Sequence, residues 1–142
     1  NMEKEIYEQY NTLNSSTNNG ARISNNVVRL GGIKTFKNLI KKDDIINLIL
    51  VGCGTSFNAC QIAKYYFNEI PNINIILTIN ACNFTINDIP KKFKNVFVFI
   101  SQSGETRDIL EIIELLKDKY LTIGIVNVVD SQISRETDCG IY

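Results

Sequence analysis

Apolar runs alternate along this chain with stretches whose apolar positions recur at helical spacing. Residues 96–100 are β-branched or aromatic and apolar without alternation, the pattern of a strand buried on both faces of a parallel sheet. Residues 47–51 read as a second such strand, and further strands are predicted over 73–78, 121–126 and 139–142. Ile6, Tyr10 and Leu13 mark a short amphipathic helix over 2–13, followed by a loop of Asn, Ser, Thr and Gly over 14–20. Ile33, Phe36, Leu39 and Ile40 mark another helix, with Lys34, Lys37, Lys41 and Lys42 on its wet side as a solvated surface. Ala59, Ala63, Phe67 and Ile70 share one face of a helix over 57–70. Residues 80–89 are irregular or a helical turn. From Arg107 onward, Ile109, Ile112, Ile113 and Leu116 oppose Asp108, Glu111, Glu114, Lys117 and Asp118.

Strands alternating with helices imply parallel pairing through right-handed crossovers. The expected fold is α/β: a three-layer, doubly wound, five-stranded parallel sheet of order 2-1-3-4-5. In that order strands one and three are neighbours with their helices on opposite faces, and ligands bind between their carboxyl ends. Strand one ends in G-C-G-T-S (52–56) and strand three in S-Q-S-G-E-T (101–106). Adjacency would gather Thr55, Ser56, Ser101, Ser103 and Thr106 around one pocket. Several hydroxyls beside two helix N-termini suit one compact dianion, a phosphate monoester, held by neutral donors. Gly52, Gly54 and Gly104 would let the backbone approach it. Neither turn is G-x-x-x-x-G-K-[ST] or G-x-G-x-x-G. The plainer account is that these hydroxyls only cap helices.

A length of 142 residues suits one domain, expected as a helical segment over 1–45 and a parallel α/β core over 46–142. Fifteen basic residues balance 15 acidic ones, leaving no electrostatic footprint for nucleic acid or an anionic membrane. No secretory or membrane-spanning pattern is seen, so the expected location is cytoplasmic. Cys53, Cys60, Cys82 and Cys139 form no C-x-x-C pair and histidine is absent, so neither a metal site nor a cofactor is expected. Each cysteine reads as a small buried or half-buried residue.

G-C-G-T-S and S-Q-S-G-E-T, each after an apolar strand, resemble the signatures of sugar isomerase (SIS) domains, with their flavodoxin-like sheet. K-E-I-Y-E-Q (4–9), R-I (22–23), V-R-L-G-G-I (28–33) and S-R-E-T-D-C-G (134–140) narrow the resemblance. Together they resemble the first SIS domain of the glutamine:fructose-6-phosphate amidotransferase family, eukaryotic type. That family makes glucosamine 6-phosphate from fructose 6-phosphate and glutamine. The resemblance implies that Ser56, Ser101, Gln102, Ser103 and Thr106 hold the phosphate and that Thr55 contacts the sugar. Glu105 would repel a dianion, so it is expected to point away and support the helix start; Arg107 reads as a solvated first-turn residue.

The family draws its acid–base groups from a second SIS domain, the partner subunit and the C-terminal tail, and its ammonia from a glutaminase domain. The chain is therefore expected to be a substrate-binding part with no catalytic residue of its own. Its implied partners are a small sugar phosphate, those other domains of the parent chain, and a second copy in a homodimer. The same resemblance implies an inhibitory UDP-N-acetylglucosamine site at Arg22, Gly124, Ser134, Thr137 and Gly140. Tyr142 stands where the family usually has His. Without the resemblance, Arg22 reads as a surface arginine and residues 134–136 as a helix start. The alternatives are a stand-alone SIS deglycase or isomerase of sugar-phosphate amines, against which S-R-E-T-D-C-G argues, and a regulatory sugar-phosphate sensor. A flavodoxin-like nucleotide binder is a more distant reading, disfavoured because no flavin-type aromatic pair flanks the turns.

Overall fold

Ile6, Tyr10 and Leu13 fall within α1 (Met2–Ser16) of the computed structural model, which describes residues 2–142; Asn1, the first residue of the expected 1–45 segment, lies outside them. The helix runs three residues past the expected end because hydroxyls serve its last carbonyls. Ser16 Oγ donates to the Leu13 carbonyl at 2.8 Å and Thr17 Oγ1 to that of Asn14 at 3.0 Å. A small antiparallel hairpin follows, β1 (Ile23–Ser24) and β2 (Val27–Val28). It was not legible as strands, being two residues on each side. Its turn residues Asn25 and Asn26 both have positive φ (51° and 59°), the geometry of a type I′ turn. These elements form one compact unit that ends at Gly31; a second spans Gly32–Tyr142, so it begins well before residue 46.

The second unit opens with α2 (Lys34–Leu39) and continues through β3 (Ile46–Gly52), α3 (Thr55–Phe67) and β4 (Ile73–Asn80). Two single 3-10 turns follow, Ala81–Asn83 and Ile86–Asp88. Then come β5 (Lys94–Ser101), α4 (Arg107–Leu116), β6 (Leu121–Val126), α5 (Gln132–Glu136) and β7 (Cys139–Ile141). The sheet order is β4-β3-β5-β6-β7 and every neighbouring pair is parallel. Counted within this sheet, that is 2-1-3-4-5, as expected.

Both faces of the sheet are covered, which is why its central strands are apolar throughout. Ile49, Val51, Phe97 and Phe99 pack with Ile109, Ile112, Ile113 and Leu116 of α4 and Ile133 of α5. Leu48, Leu50, Val96 and Val98 point the other way, onto Cys60, Ala63 and Phe67 of α3 and Phe36 of α2. Each fully buried aliphatic or aromatic side chain here contributes about 1.5–3 kcal/mol. Phe36 joining this cluster accounts for α2 belonging to the second unit.

One polar residue sits inside the run that otherwise reads as apolar. Asn47 is fully buried, and its Nδ2 donates to Asn95 Oδ1 at 2.8 Å and to the Lys92 carbonyl. Asn74 Nδ2 donates to Asn47 Oδ1 at 2.9 Å, and Asn95 Nδ2 to the Pro90 carbonyl at 2.8 Å. This network fastens the amino ends of β3, β4 and β5, opposite the edge where the hydroxyl-rich turns lie.

Candidate functional site

At the carboxyl edge, Gly52 of β3 pairs with Ile100 of β5 and with Asn80 of β4. The 52–56 and 101–106 turns therefore leave the sheet side by side, and α3 and α4 carry the chain to opposite faces. That is the switch-point arrangement.

Ser101 ends β5 and is only 4% exposed. Its Oγ lies 3.0 Å from Thr106 Oγ1 and accepts the Gly104 N–H at 3.1 Å. Ser103 Oγ, exposed, accepts the Glu105 N–H at 3.2 Å. The turn is thus folded around its own hydroxyls. Gly104 has φ of +70°, and a Cβ there would lie 2.0 Å from Ser131 Oγ, so both backbone and space call for glycine. Thr106 occupies the N-cap of α4 without making a side-chain cap bond. Leu110 N–H is the first α4 amide bonded in helical fashion, to the Thr106 carbonyl at 3.1 Å. The amides of Arg107, Asp108 and Ile109 precede any intrahelical acceptor. Capping alone thus does not account for Thr106.

The other turn is tighter. Ser56 N–H donates to the Cys53 carbonyl at 3.1 Å and Phe57 N–H to that of Gly54 at 3.0 Å. A Cβ at Gly52 would come within 2.7–2.8 Å of the Ser56 and Phe57 backbone, so the helix start crowds onto the strand end. With those amides engaged, this turn offers side-chain hydroxyls: Thr55, exposed, and Ser56, half-buried. Gly54 at the N-cap provides no side chain to cap α3. Gln102 is exposed beside Ser103.

Charges near the turns are directed elsewhere. Glu105 Oε1 accepts the Gln132 N–H at 2.8 Å, so it supports the start of a helix, but of α5 and not of its own α4. Arg107 Nε pairs with Glu111 at 2.7 Å in the open, and this bond raises the guanidinium pKa. A recess of about 610 Å³ beyond Glu105 is lined by Glu105, Glu111, Glu114 and Glu136 with two cations, a setting that opposes a dianion. Among the cysteines, Cys60 and Cys139 are buried and Cys53 half-buried, whereas Cys82 is exposed on the 3-10 turn after β4, contrary to expectation. Burial pushes the Cys60 thiol up to about 11, which keeps it protonated and unreactive at neutral pH.

The residues expected to hold a nucleotide sugar divide between the two units. Arg22 lies in the first, where its Nη1 donates to the Ser16 carbonyl at 3.2 Å. Gly124 and Gly140 face each other across β6 and β7. Thr137 Oγ1 stands 2.8 Å from where a Gly124 Cβ would be and donates to the Ile133 carbonyl at 2.9 Å. Ser134 Oγ donates to the Ser131 carbonyl at 2.7 Å, and Tyr142 Oη to the Ser134 carbonyl at 3.2 Å. The four residues of the second unit are therefore gathered, with the hydroxyl protons of Ser134 and Thr137 committed to backbone.

Sequence reasoning missed Ser131 and Gln132, which sit against the 101–106 turn although Gln132 lies 27 residues downstream of Glu105. The available signal was a Ser ahead of Q-I-S-R-E, an N-cap pattern. Nothing local ties it to Glu105.

The fold and the two turns define a doubly wound α/β domain with hydroxyl-rich turns at its switch point, and comparison with known proteins gives its family. Residues 39–142 match the SIS domain family, and the chain belongs to it. It is 37% identical over 142 residues to glutamine–fructose-6-phosphate aminotransferase [isomerizing] 2 of Mus musculus and 37% identical to the Saccharomyces cerevisiae enzyme of that name. Each match covers 99% of this chain but only 20% and 19% of the relative, so the chain spans about one fifth of their length. Among solved structures, the C-terminal domain of glucosamine-fructose-6-phosphate aminotransferase from Francisella tularensis superimposes with a TM-score of 0.81 at 32% identity, covering 99% of this chain and 38% of that one. Glucosamine-6-phosphate deaminase from Thermotoga maritima gives 0.66 at 26% identity, over 96% of this chain and 38% of that one. Among the described residues no helix is long and apolar enough to cross a membrane.

Proposed function

We propose that this chain is the first sugar-phosphate-binding domain in the isomerase half of a glutamine–fructose-6-phosphate aminotransferase. Ser101, Gln102, Ser103 and Thr106, with Ser56 from the neighbouring turn, hold the phosphate of fructose 6-phosphate or glucosamine 6-phosphate, and Thr55 meets the sugar. The observation that carries the reading is the 101–106 turn itself. A buried serine, a glycine with positive φ and an uncapped helix start are assembled beside a second hydroxyl turn. Relatives of that name at 37% identity along 99% of the chain support the identity of the sugar.

The residues at this site bind and orient; none is an acid or base aimed at a sugar carbon. Ring opening, imine formation and proton transfer belong to other parts of the parent enzyme, including a second SIS domain, a glutaminase domain and a partner copy in a homodimer. The enzyme works in the cytoplasm on small molecules, without nucleic acid or membrane. For a UDP-N-acetylglucosamine site at Gly124, Ser134, Thr137 and Gly140 of the second unit the support is the family resemblance. Hydroxyls that donate to carbonyls keep lone pairs to accept from a ligand.

Calorimetry of this chain with fructose 6-phosphate tests the main reading. Weak binding is expected, reduced at least roughly tenfold by Ser101→Ala and less by Thr55→Val, with no formation of glucosamine 6-phosphate from added ammonia. Absence of heat at millimolar sugar phosphate would remove the site, and turnover would overturn the division of labour. A parallel titration with UDP-N-acetylglucosamine decides the second site in the same way.

A further inference from the structure

Glu105 stands inside an anion-binding turn, where an inward carboxylate would oppose a phosphate dianion. Its Oε1 instead accepts the backbone N–H of Gln132 at 2.8 Å, 27 residues along the chain. Gln132 is the first residue of α5, and the N-cap Ser131 makes no side-chain cap bond. The carboxylate of another element thus takes the place that a capping side chain usually fills, and its negative charge suits a helix start.

Two contacts lie beside this bond. Ile133 N–H donates to the Gly104 carbonyl at 2.9 Å. Ser131 Oγ, buried and without a hydrogen-bond partner among the described residues, fills the space next to the Gly104 Cα. Three consecutive residues, Ser131 to Ile133, therefore hold two consecutive residues of the turn. Of the three contacts only the Glu105 bond comes from a turn side chain, so it alone can be tuned by substitution without changing the turn backbone.

We propose that Glu105 is a positioning residue: by capping α5 it pins the 101–106 turn in the form that presents Ser101, Ser103 and Thr106 to the ligand. Its consequence for binding rests on the sugar-phosphate reading of that turn; the pin itself rests on geometry.

The amide side of the bond can be removed cleanly. Gln132→Pro deletes the N–H at the first helical position, where proline is accepted, and Ser131 already has the extended backbone (φ −64°, ψ 162°) that precedes proline. Fructose 6-phosphate and inorganic phosphate are titrated into the unmodified chain, E105A, E105Q, Q132P and the E105A/Q132P double variant. Amide exchange of Gly104 is followed in each.

The expected result is roughly tenfold weaker binding of both ligands in E105A and Q132P. The double variant should be no weaker than either single one, because both remove the same bond. E105Q, whose amide oxygen still accepts, should stay within roughly threefold of the unmodified chain. Gly104 exchange should quicken in E105A and Q132P but not in E105Q. Unchanged or tighter binding in E105A would overturn the proposal, since it would mean an idle carboxylate or one facing the ligand. Unchanged Gly104 exchange in both E105A and Q132P would overturn it as well, whatever the ligand does. If the unmodified chain binds no sugar phosphate, the site reading falls alone and the exchange data still decide the pin.

Discussion

Ser101 and Gly104 set the form of the candidate site through one short hydrogen-bonded loop. The buried Ser101 hydroxyl holds the Gly104 amide and touches Thr106, so a single oxygen organises both ends of the turn. Gly104 answers with a backbone that other residues rarely adopt and a bare face against Ser131. Gly104→Ala should destabilise the chain by about 2–4 kcal/mol, since strain at φ of +70° adds to the clash with Ser131 Oγ. Adding Ser131→Gly should recover the clash and leave the backbone part, about 1 kcal/mol. Urea denaturation of the three chains checks this, and full recovery in the double variant would show that backbone strain is unimportant there. The S-Q-S-G-E-T string announced its hydroxyls and its glycine. It did not announce where Glu105 goes, because the partner amide arrives through tertiary packing of α5.

At the scale of elements, α4 and α5 are joined by more than apolar packing. Lys117 Nζ meets Glu136 at 2.7 Å, and this bond, with the lysine charge behind it, holds the Glu136 carboxyl below its ordinary range and raises the Lys117 pKa. A carboxyl whose pKa is lowered by folding contributes stability that is present above its unfolded value of 4.5 and fades as pH falls through the lower folded value. The pair is exposed, so its worth is small. Glu136→Gln should therefore lower stability slightly at pH 7 and converge with the unmodified chain in acid, once the carboxyl is protonated in the folded state as well. Denaturation series at pH 7 and in acid would show it; a gap that persists in acid would point to a non-ionic cause. The helices with a strong apolar stripe, α4 above all, were readable from spacing alone. The β1–β2 hairpin, two residues per side, carries no periodicity to read, and only its Asn-Asn turn hints at it.

Across the whole second unit, the two ends of the sheet are built differently. The carboxyl edge carries hydroxyl turns and glycines, while the amino edge is fastened by Asn47, Asn74 and Asn95. Asn47→Leu keeps the branching but is larger, and it leaves the Asn95 Oδ1 and the Lys92 carbonyl without that donor and Asn74 Nδ2 without that acceptor. The expected cost is on the order of 3 kcal/mol in thermal or chemical denaturation, with sugar-phosphate affinity unchanged in the folded fraction. A loss of affinity at full folding would mean that the two ends of the sheet are coupled.

Local pattern by itself determined the alternation of strands and helices and the burial of the sheet on both faces, because a strand covered on both faces is apolar at nearly every position. It also determined which residues could form an anion site, since those depend on residue type next to a predicted helix start. Tertiary structure alone decided that Asn47 is satisfied inside a strand that reads as apolar, and that the second unit begins at Gly32. It alone joined Glu105 to Gln132 and set Gly104 against Ser131. Such contacts link residues distant in the chain, and no local pattern encodes which distant backbone amide a side chain will meet.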